Sequence, residues 1–482
     1  TVWDKFDMVT IEKADAVYTK TSPIVEPTKA SAYGEYSGYS ETTYPNYVKK
    51  SVYVEVPASY EGAAKSDPDY EGDTIKLAVD YVLPADENGN VIEGKLPTVL
   101  LASRGGRFSE TDTNGNGPVA LNLIKHGYAY MVIEMRGCGA SFGVNNSFSS
   151  IENRMDIKYI MENWAPEQAW YNGKFAMMGG SNRGLIQGAA AAVGIKGLVG
   201  ITPVVCDMDL YYQNFPNGVS SALTGMNGVA NTTGLSGTKK DSEIKSYEEW
   251  IKEPKVAFVD DDPDGKQAYE AYKIQTAKNM SFSTYMILPN MLRDTENQFM
   301  YGEKVESTVS PMEYTSEIIK SGVRTHQLAG YYDSNVTLQT AMANCWDKNG
   351  TIVMGPWNHQ GAIRGTADES MYPNSSFDVA ADYLRWCDYC LKGVDNGYDE
   401  APRFYYYVVG AAKGTEWRYS DSMSPDNAVW SDLYFSAEGA DIADALKLDG
   451  AQSNNGCLTI AKPEKAGSET YRADATVELP SD

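Results

Sequence analysis

Residues 170–184 constrain the fold more than any other stretch. Phe175, Ala176, Met177 and Met178 form a short apolar run suited to a buried strand. Gly179 and Gly180 break it, Ser181 follows, and an Ala-rich apolar segment over 185–193 reads as a helix packed on a sheet. A strand, a glycine-flanked turn with a serine at its tip, then a helix is the arrangement of a nucleophile elbow. So tight a turn forces backbone angles on the serine that need small neighbours on both sides. In return Oγ stands clear of the sheet, and the helix N-terminus with the backbone N–H of Asn182 faces an oxyanion developing there. The spacing is Gly179-x-Ser181-x-x-Gly184, one residue longer than the usual Gly-x-Ser-x-Gly. Alone it also describes an ordinary helix cap, so the decision falls to the rest of the chain.

With 482 residues the chain is too long for one small core. Its formal net charge is −24, and no run of Lys and Arg supplies a phosphate-binding surface, which argues against nucleic acid and against an anionic membrane surface as partners. No stretch approaches the length of a transmembrane helix. The chain starts at Thr1 with no charged-then-apolar leader, leaving cytoplasmic and secreted locations both open. Six cysteines in this length make no disulfide framework. Cys387-x-x-Cys390 lies inside an apparent helix with no second pair nearby, so it reads as two small residues on a packed face. Asp260 to Gly265 has the look of a calcium loop, but Ala271 stands where the bidentate Glu belongs, and a solvated acidic turn is expected. No metal and no cofactor is expected.

In chain order, residues 1–50 are rich in Tyr, Ser, Thr and Lys and read as an irregular extension. Strand character starts at Ser51 and returns over 75–84 and 96–102, the last an apolar run of buried-strand type. Ser103-Arg-Gly-Gly-Arg107 then forms a glycine-bearing loop, in the place where hydrolases of this architecture supply a second oxyanion donor. A helix, the strand 128–134 and a further helix over 150–164 lead to the elbow, and 197–203 is one more strand. Strands alternating with helices mean a largely parallel sheet with its chemistry at the C-terminal strand ends. Residues 51–206 are therefore the first part of an α/β core, and 207–315, which lacks regular strands, reads as a helical cap that shapes an acyl pocket and excludes water. The core resumes over 316–400, and from 401 to 482 a period of two marks the start of a C-terminal β-domain.

The chain has three histidines. His126 falls in a helix-to-strand turn before the elbow, and His326 inside an apolar strand, as a core residue. His359 follows a strand end in Gly355-Pro-Trp-Asn-His359, where a general base for a serine belongs. Asp333 follows the strand end before that. The order Ser181, Asp333, His359 matches an α/β-hydrolase. Serine Oγ needs histidine to take its proton, and histidine needs a carboxylate to fix its tautomer and stabilise the imidazolium.

These residues carry a family likeness. Gly179-Gly-Ser-Asn-Arg-Gly184 resembles the Gly-x-Ser-Tyr-x-Gly elbow of the X-Pro dipeptidyl-peptidase and cocaine-esterase family of serine hydrolases, with Asn182 where Tyr is usual. Arg136-Gly-Cys-Gly-Ala-Ser-Phe-Gly143, Gly330-Tyr-Tyr-Asp333, Gly355-Pro-Trp-Asn-His359 and the helix around Arg385 resemble four more of its motifs, in the same order. The resemblance implies Ser181 as nucleophile, Asp333 as acid and His359 as base, on an α/β-hydrolase with a helical cap and a C-terminal jelly-roll. It departs at the early loop. Family members often place there a Tyr whose hydroxyl helps hold the oxyanion, whereas this chain has Gly105 and Gly106. A backbone N–H of that pair is expected to join Asn182, with the guanidinium of Arg104 or Arg107 as the alternative. The jelly-roll also looks like only its first part, which leaves open a second chain or a further C-terminal part, or a homo-oligomer.

The leading expectation is a serine hydrolase that cleaves an ester or amide of a small molecule or short peptide. A second reading is an Xaa-Pro dipeptidyl aminopeptidase or amino-acid ester hydrolase, which needs cap carboxylates to hold a substrate ammonium. A third, from another class, is a non-catalytic ligand- or carbohydrate-binding protein on the same fold.

Overall fold

The computed structural model describes residues 36–40, 42–63, 65–109, 116–145, 149–206, 208–209, 212, 244–279, 310–333, 336–422, 432–436, 457–459 and 462. One sheet of ten strands organises the unit that ends at Asp421. Its strands are β1 (Asn46–Pro57), β2 (Thr74–Ala85), β3 (Leu96–Ser103), β4 (Ala129–Glu134), β5 (Tyr171–Gly180), β6 (Leu198–Val204), β7 (Arg324–Gly330), β8 (Thr351–Gly355), β9 (Phe404–Tyr407) and β10 (Trp417–Ser420). They lie in the order β1-β2-β4-β3-β5-β6-β7-β8-β9-β10. From β4 to β9 every pairing is parallel, while β1, β2 and β10 run antiparallel to their neighbours.

Helices cover the sheet: α1 (Asn116–Lys125), α2 (Ile151–Tyr159), α3 (Asn182–Ala192), α4 (Tyr247–Trp250), α5 (Lys266–Lys278), α6 (Thr315–Ser321), α7 (Val336–Trp346), α8 (His359–Arg364) and α9 (Val379–Lys392). The continuous apolar runs are explained by burial on both faces. Along β3, Leu100 and Ala102 join one core cluster, and Val99 and Leu101 join another. On β5, Phe175 and Met177 divide from Ala176 and Met178 in the same way, as the two-residue period of a strand requires. The first cluster is completed by Ile157, Leu185, Ile186 and Ile318, and the second by Leu123, Tyr383, Leu384 and Trp386. This mostly parallel, doubly covered sheet, with a serine turn at the end of β5, is the α/β-hydrolase fold.

Several boundaries differ from those read in the sequence. β1 begins at Asn46 and is bonded to β2 along its whole length, so the sheet reaches back past residue 50. At the far end, β9 pairs in parallel with β8 and carries the sheet past residue 401 to Ser420, because Phe404 and Tyr407 bury side chains against the existing core. The period of two over 404–420 belongs to the last two strands of this sheet. The second unit contributes, among the described residues, the antiparallel pair β11 (Tyr434–Ser436) and β12 (Cys457–Thr459). The jelly-roll reading, the extension before residue 36 and most of the 207–315 cap lie outside the described residues. The helix expected over 150–164 is α-helical to Tyr159 and then widens into a π-turn, Ile160–Trp164. Among the described residues no helix is long and apolar enough to cross a membrane.

Candidate active site

Ser181 sits between β5 and α3 with φ 59° and ψ −127°, a left-handed conformation that a side-chain-bearing residue adopts only under constraint. Its neighbours supply the constraint. The Ser181 N–H donates to Val204 O on β6 at 2.9 Å, and Ser181 O accepts from the N–H groups of Gly184 (2.8 Å) and Leu185 (2.9 Å). Gly179 has φ 130°, and a Cβ there would lie 2.7 Å from Leu101 Cδ1 and 2.7 Å from Arg183 Cβ. The unusual spacing has its reason at Gly184. A Cβ on it would meet Cys206 Cβ and Gly179 O at 3.2 Å and Val204 O at 3.3 Å, so the first turn of α3 needs glycine three positions after the serine.

A side chain that the sequence did not advertise holds the elbow from below. Gln187 is fully buried, donates from Nε2 to Gly179 O (3.1 Å) and Arg183 O (2.9 Å), and accepts at Oε1 from Thr202 N (2.8 Å). Gln339 does the same one strand further on, donating to Pro203 O and Leu328 O and accepting from Cys206 N. Two buried glutamines thus stitch the C-terminal ends of β5, β6 and β7. In a helical pattern a glutamine reads as a surface residue, so neither role is legible in the sequence.

Asp333 and His359 follow the ends of adjacent strands β7 and β8. The two turns are bonded to each other: Tyr331 N–H donates to Gly355 O (2.9 Å) and Tyr332 N–H to Trp357 O (3.0 Å). Gly330 is required for that approach, since a Cβ there would stand 2.2 Å from Trp357 O. Trp357 is fully buried among Phe377 and Trp417, donates from its indole to Ser375 O and pins the loop. Asn358 caps α8 by accepting from Gly361 N at 2.8 Å, so His359 is the first residue of a short helix rather than a loop residue. His359 Nδ1 lies 2.5 Å from Asp333 Oδ2. The Asp333 side chain is 4% exposed and the imidazole 39%. The elbow abuts this helix: a Cβ on Gly180 would be 2.8 Å from Ile363 Cγ1. The structure therefore brings Asp333 and His359 together, and places Ser181 at the C-terminal end of β5 in the same sheet.

The loop after β3 meets the elbow as well, with Arg183 Nη2 lying 3.4 Å from Gly105 O. Gly106 has φ 76°, and the Gly105 N–H donates to Ser103 Oγ at 3.3 Å. The Arg107 guanidinium is not aimed at an oxyanion. It is buried and spent on Asp80 (2.7 Å), Glu134 (2.8 Å), Ala257 O (2.6 Å) and Phe258 O (3.0 Å). Arg104 is exposed.

The remaining motif residues are structural. Arg136 is buried and bidentate to Asp156 (2.8 and 2.7 Å), with Glu152, Pro57 O and Ala58 O taking its other donors. Burial opposes its charge, and the carboxylates of Asp156 and Glu152 more than offset this, so its pKa is raised. Gly139 in the same loop touches Glu134, whose carboxylate would lie 1.9 Å from a Cβ. His326 is a core residue, held by Asp382 Oδ2 at 2.5 Å and Thr351 Oγ1 at 2.8 Å. His126 closes the α1 turn on Asn122 O. Cys387 and Cys390 are unpaired thiols whose pKa values burial pushes up. In the calcium-like turn, Asp262 accepts from Gln267 N and Ala268 N at the start of α5, and Asp260 accepts from Ser51 N. Among the described residues no group of three or more His, Cys, Asp and Glu side chains could hold a metal ion.

An α/β-hydrolase with a serine at the elbow after β5 and a bonded histidine–aspartate pair after β7 and β8 has the make-up of a serine hydrolase. Residues 72–361 match the model of the X-Pro dipeptidyl-peptidase (S15) family, more than half of the chain, and the chain belongs to that family. It is 24% identical over 424 residues to cocaine esterase of Rhodococcus sp., covering 85% of this chain and 67% of that protein. The structure of a CocE/NonD family hydrolase from Staphylococcus aureus aligns with a TM-score of 0.46 and 16% identity, covering 76% of this chain and 56% of that one. An aminopeptidase from a marine sediment archaeon, Thaumarchaeota archaeon, aligns with a TM-score of 0.46 and 16% identity over 88% and 65% of the two chains. The chain thus spans about two thirds or less of the length of these relatives.

Proposed function

We propose that this chain hydrolyses carboxylic esters, and amides less readily, through an acyl-enzyme on Ser181. Two observations support the reading: the His359–Asp333 hydrogen bond after the ends of β8 and β7, and a serine held at φ 59° after β5. His359 takes the Ser181 proton on Nε2 while Oγ attacks the substrate carbonyl. Its Nδ1–H donates to ionised Asp333, which fixes this tautomer and stabilises the imidazolium. The tetrahedral oxyanion is held by the Asn182 N–H at the positive end of α3 and by a second N–H from the early loop. Gly105 already donates to Ser103 Oγ, so Gly106 is the assigned partner. The imidazolium then protonates the leaving alcohol or amine. Water, deprotonated by the same imidazole, attacks the acyl-enzyme and releases the acid.

The relative named cocaine esterase supports an ester as the substrate. The test is hydrolysis of p-nitrophenyl acetate and butyrate beside Ala-Pro-p-nitroanilide, with Ser181→Ala as control. Ester turnover with a pre-steady-state burst, lost in the variant, is expected. Equal rates for native chain and variant would remove the proposal.

A further inference from the structure

We propose that Arg107 is a positioning residue that ties the oxyanion-forming loop to the insertion between β6 and β7, so that the oxyanion hole is set only when that insertion is seated. The inference rests on the reading that Gly106 donates to the oxyanion.

The loop needs an external tether. A Cβ built on Gly105 or Gly106 meets no heavy atom within 4 Å, so the pair is open where a side chain would pack, and glycine gives it no conformational stiffness of its own. Immediately after the glycine pair, the Arg107 guanidinium spans three parts of the molecule. Nε bonds Asp80 on β2 at 2.7 Å, Nη1 bonds Glu134 on β4 at 2.8 Å, and Nη2 reaches across to Ala257 O and Phe258 O of the insertion at 2.6 and 3.0 Å. Asp80 also accepts from the Phe108 N–H at 3.2 Å, which fixes the backbone on the far side of Arg107. Lys49 Nζ is 2.9 Å from Asp80, so two cations face two carboxylates. The ion pairs alone would anchor the loop to the sheet, and the two carbonyls of the insertion add the coupling.

Those carbonyls belong to a packed body. Phe258 stacks near Trp250 with 5.8 Å between ring centroids, Trp250 packs on Tyr269 and Tyr272 of α5, and the next residues bond β1, with Asp260 N–H donating to Ser51 O at 2.9 Å. A shift of α4 and α5 therefore reaches the loop through one guanidinium. Only arginine offers donors in a rigid fork that can meet all four acceptors, whereas lysine is a single point charge.

The test is Arg107→Lys, which keeps the charge and loses the fork. Turnover of p-nitrophenyl acetate is normalised to folded enzyme by melting curves, and affinity for phenylboronic acid, which forms a tetrahedral adduct on an active serine, is measured in parallel. The expected result is a drop in kcat of about 10–100-fold with KM little changed, and a matching loss of boronate affinity. Native kcat and boronate affinity in a folded Lys variant would overturn the proposal. Should that variant not fold, hydrogen exchange of the native chain with and without phenylboronic acid decides. Protection gained together over 103–108 and 255–260 supports the tether, and protection of 103–108 alone overturns it. Failure of the native chain to turn over ester or to form the adduct removes the serine-hydrolase reading and this inference with it, whereas loss of the coupling alone removes only the tether.

Discussion

Gly180→Ala tests most sharply how the elbow strand packs on the helix that carries His359. Gly180 lies outside the left-handed region, so alanine is tolerated by the backbone and the effect is one of space. The new Cβ would lie 2.8 Å from Ile363 Cγ1 and 2.9 Å from Ile363 Cδ1, with Val204 O at 3.4 Å. Carbon–carbon contacts settle at about 3.5–4.0 Å, so the neighbours must part by roughly 0.7 Å. Ile363 can leave its rotamer, at about 0.5–1.5 kcal/mol, or α8 can move. Ile363 is one helical turn from His359, so a moving helix carries the imidazole away from Ser181. A misplacement near 1 Å costs up to about 100-fold in rate, and overpacking costs about 1–3 kcal/mol of stability. We expect kcat/KM for p-nitrophenyl acetate to fall about 10–100-fold in Gly180→Ala. Ile363→Ala should restore most of it in the double variant, with a coupling energy of about 0.5–3 kcal/mol. Native activity in the single variant, or no recovery in the double, would refute the idea that Gly180 and Ile363 set the serine–histidine distance.

Three further outcomes follow from the same contacts. Asp333→Asn should fold normally and lose about 10⁴-fold in kcat, because the amide favours the wrong imidazole tautomer; a loss below tenfold in ester kinetics would speak against the role of Asp333. Arg136→Ala should cost about 3–5 kcal/mol in urea unfolding, since Asp156 and Glu152 are left buried without their partner, while the folded fraction keeps native kcat. Asp262→Ala should cost about 1–3 kcal/mol, because the Gln267 and Ala268 N–H groups in the first turn of α5 lose their acceptor, and neither calcium nor chelator should shift the melting temperature of the native chain.

The parts legible in the sequence are those whose chemistry is local. A strand–Gly–Gly–Ser–helix run needs only its own residues to be recognised, and Asp333 and His359 are legible because each lies within a few residues of the end of an apolar run, in the right order. Arg107 was not legible: next to two glycines in an oxyanion-type loop it reads as an anion donor. The partners that claim it, Asp80, Glu134 and the carbonyls at 257–258, are brought to it only by the sheet order and the insertion. Gln187 and Gln339 were hidden for the related reason that a buried glutamine is decided by the strand ends above it. Residues 404–420 alternate as any half-buried strand does, and nothing local says whether such strands start a new domain or extend an existing sheet.

The most direct measurement is fluorophosphonate labelling with intact-mass readout of the native chain beside Ser181→Ala. The account requires stoichiometric addition of one label to the native chain and none to the variant, since only a serine with a working base and oxyanion hole reacts. Labelling that persists in Ser181→Ala, or a native chain that takes no label, would contradict it.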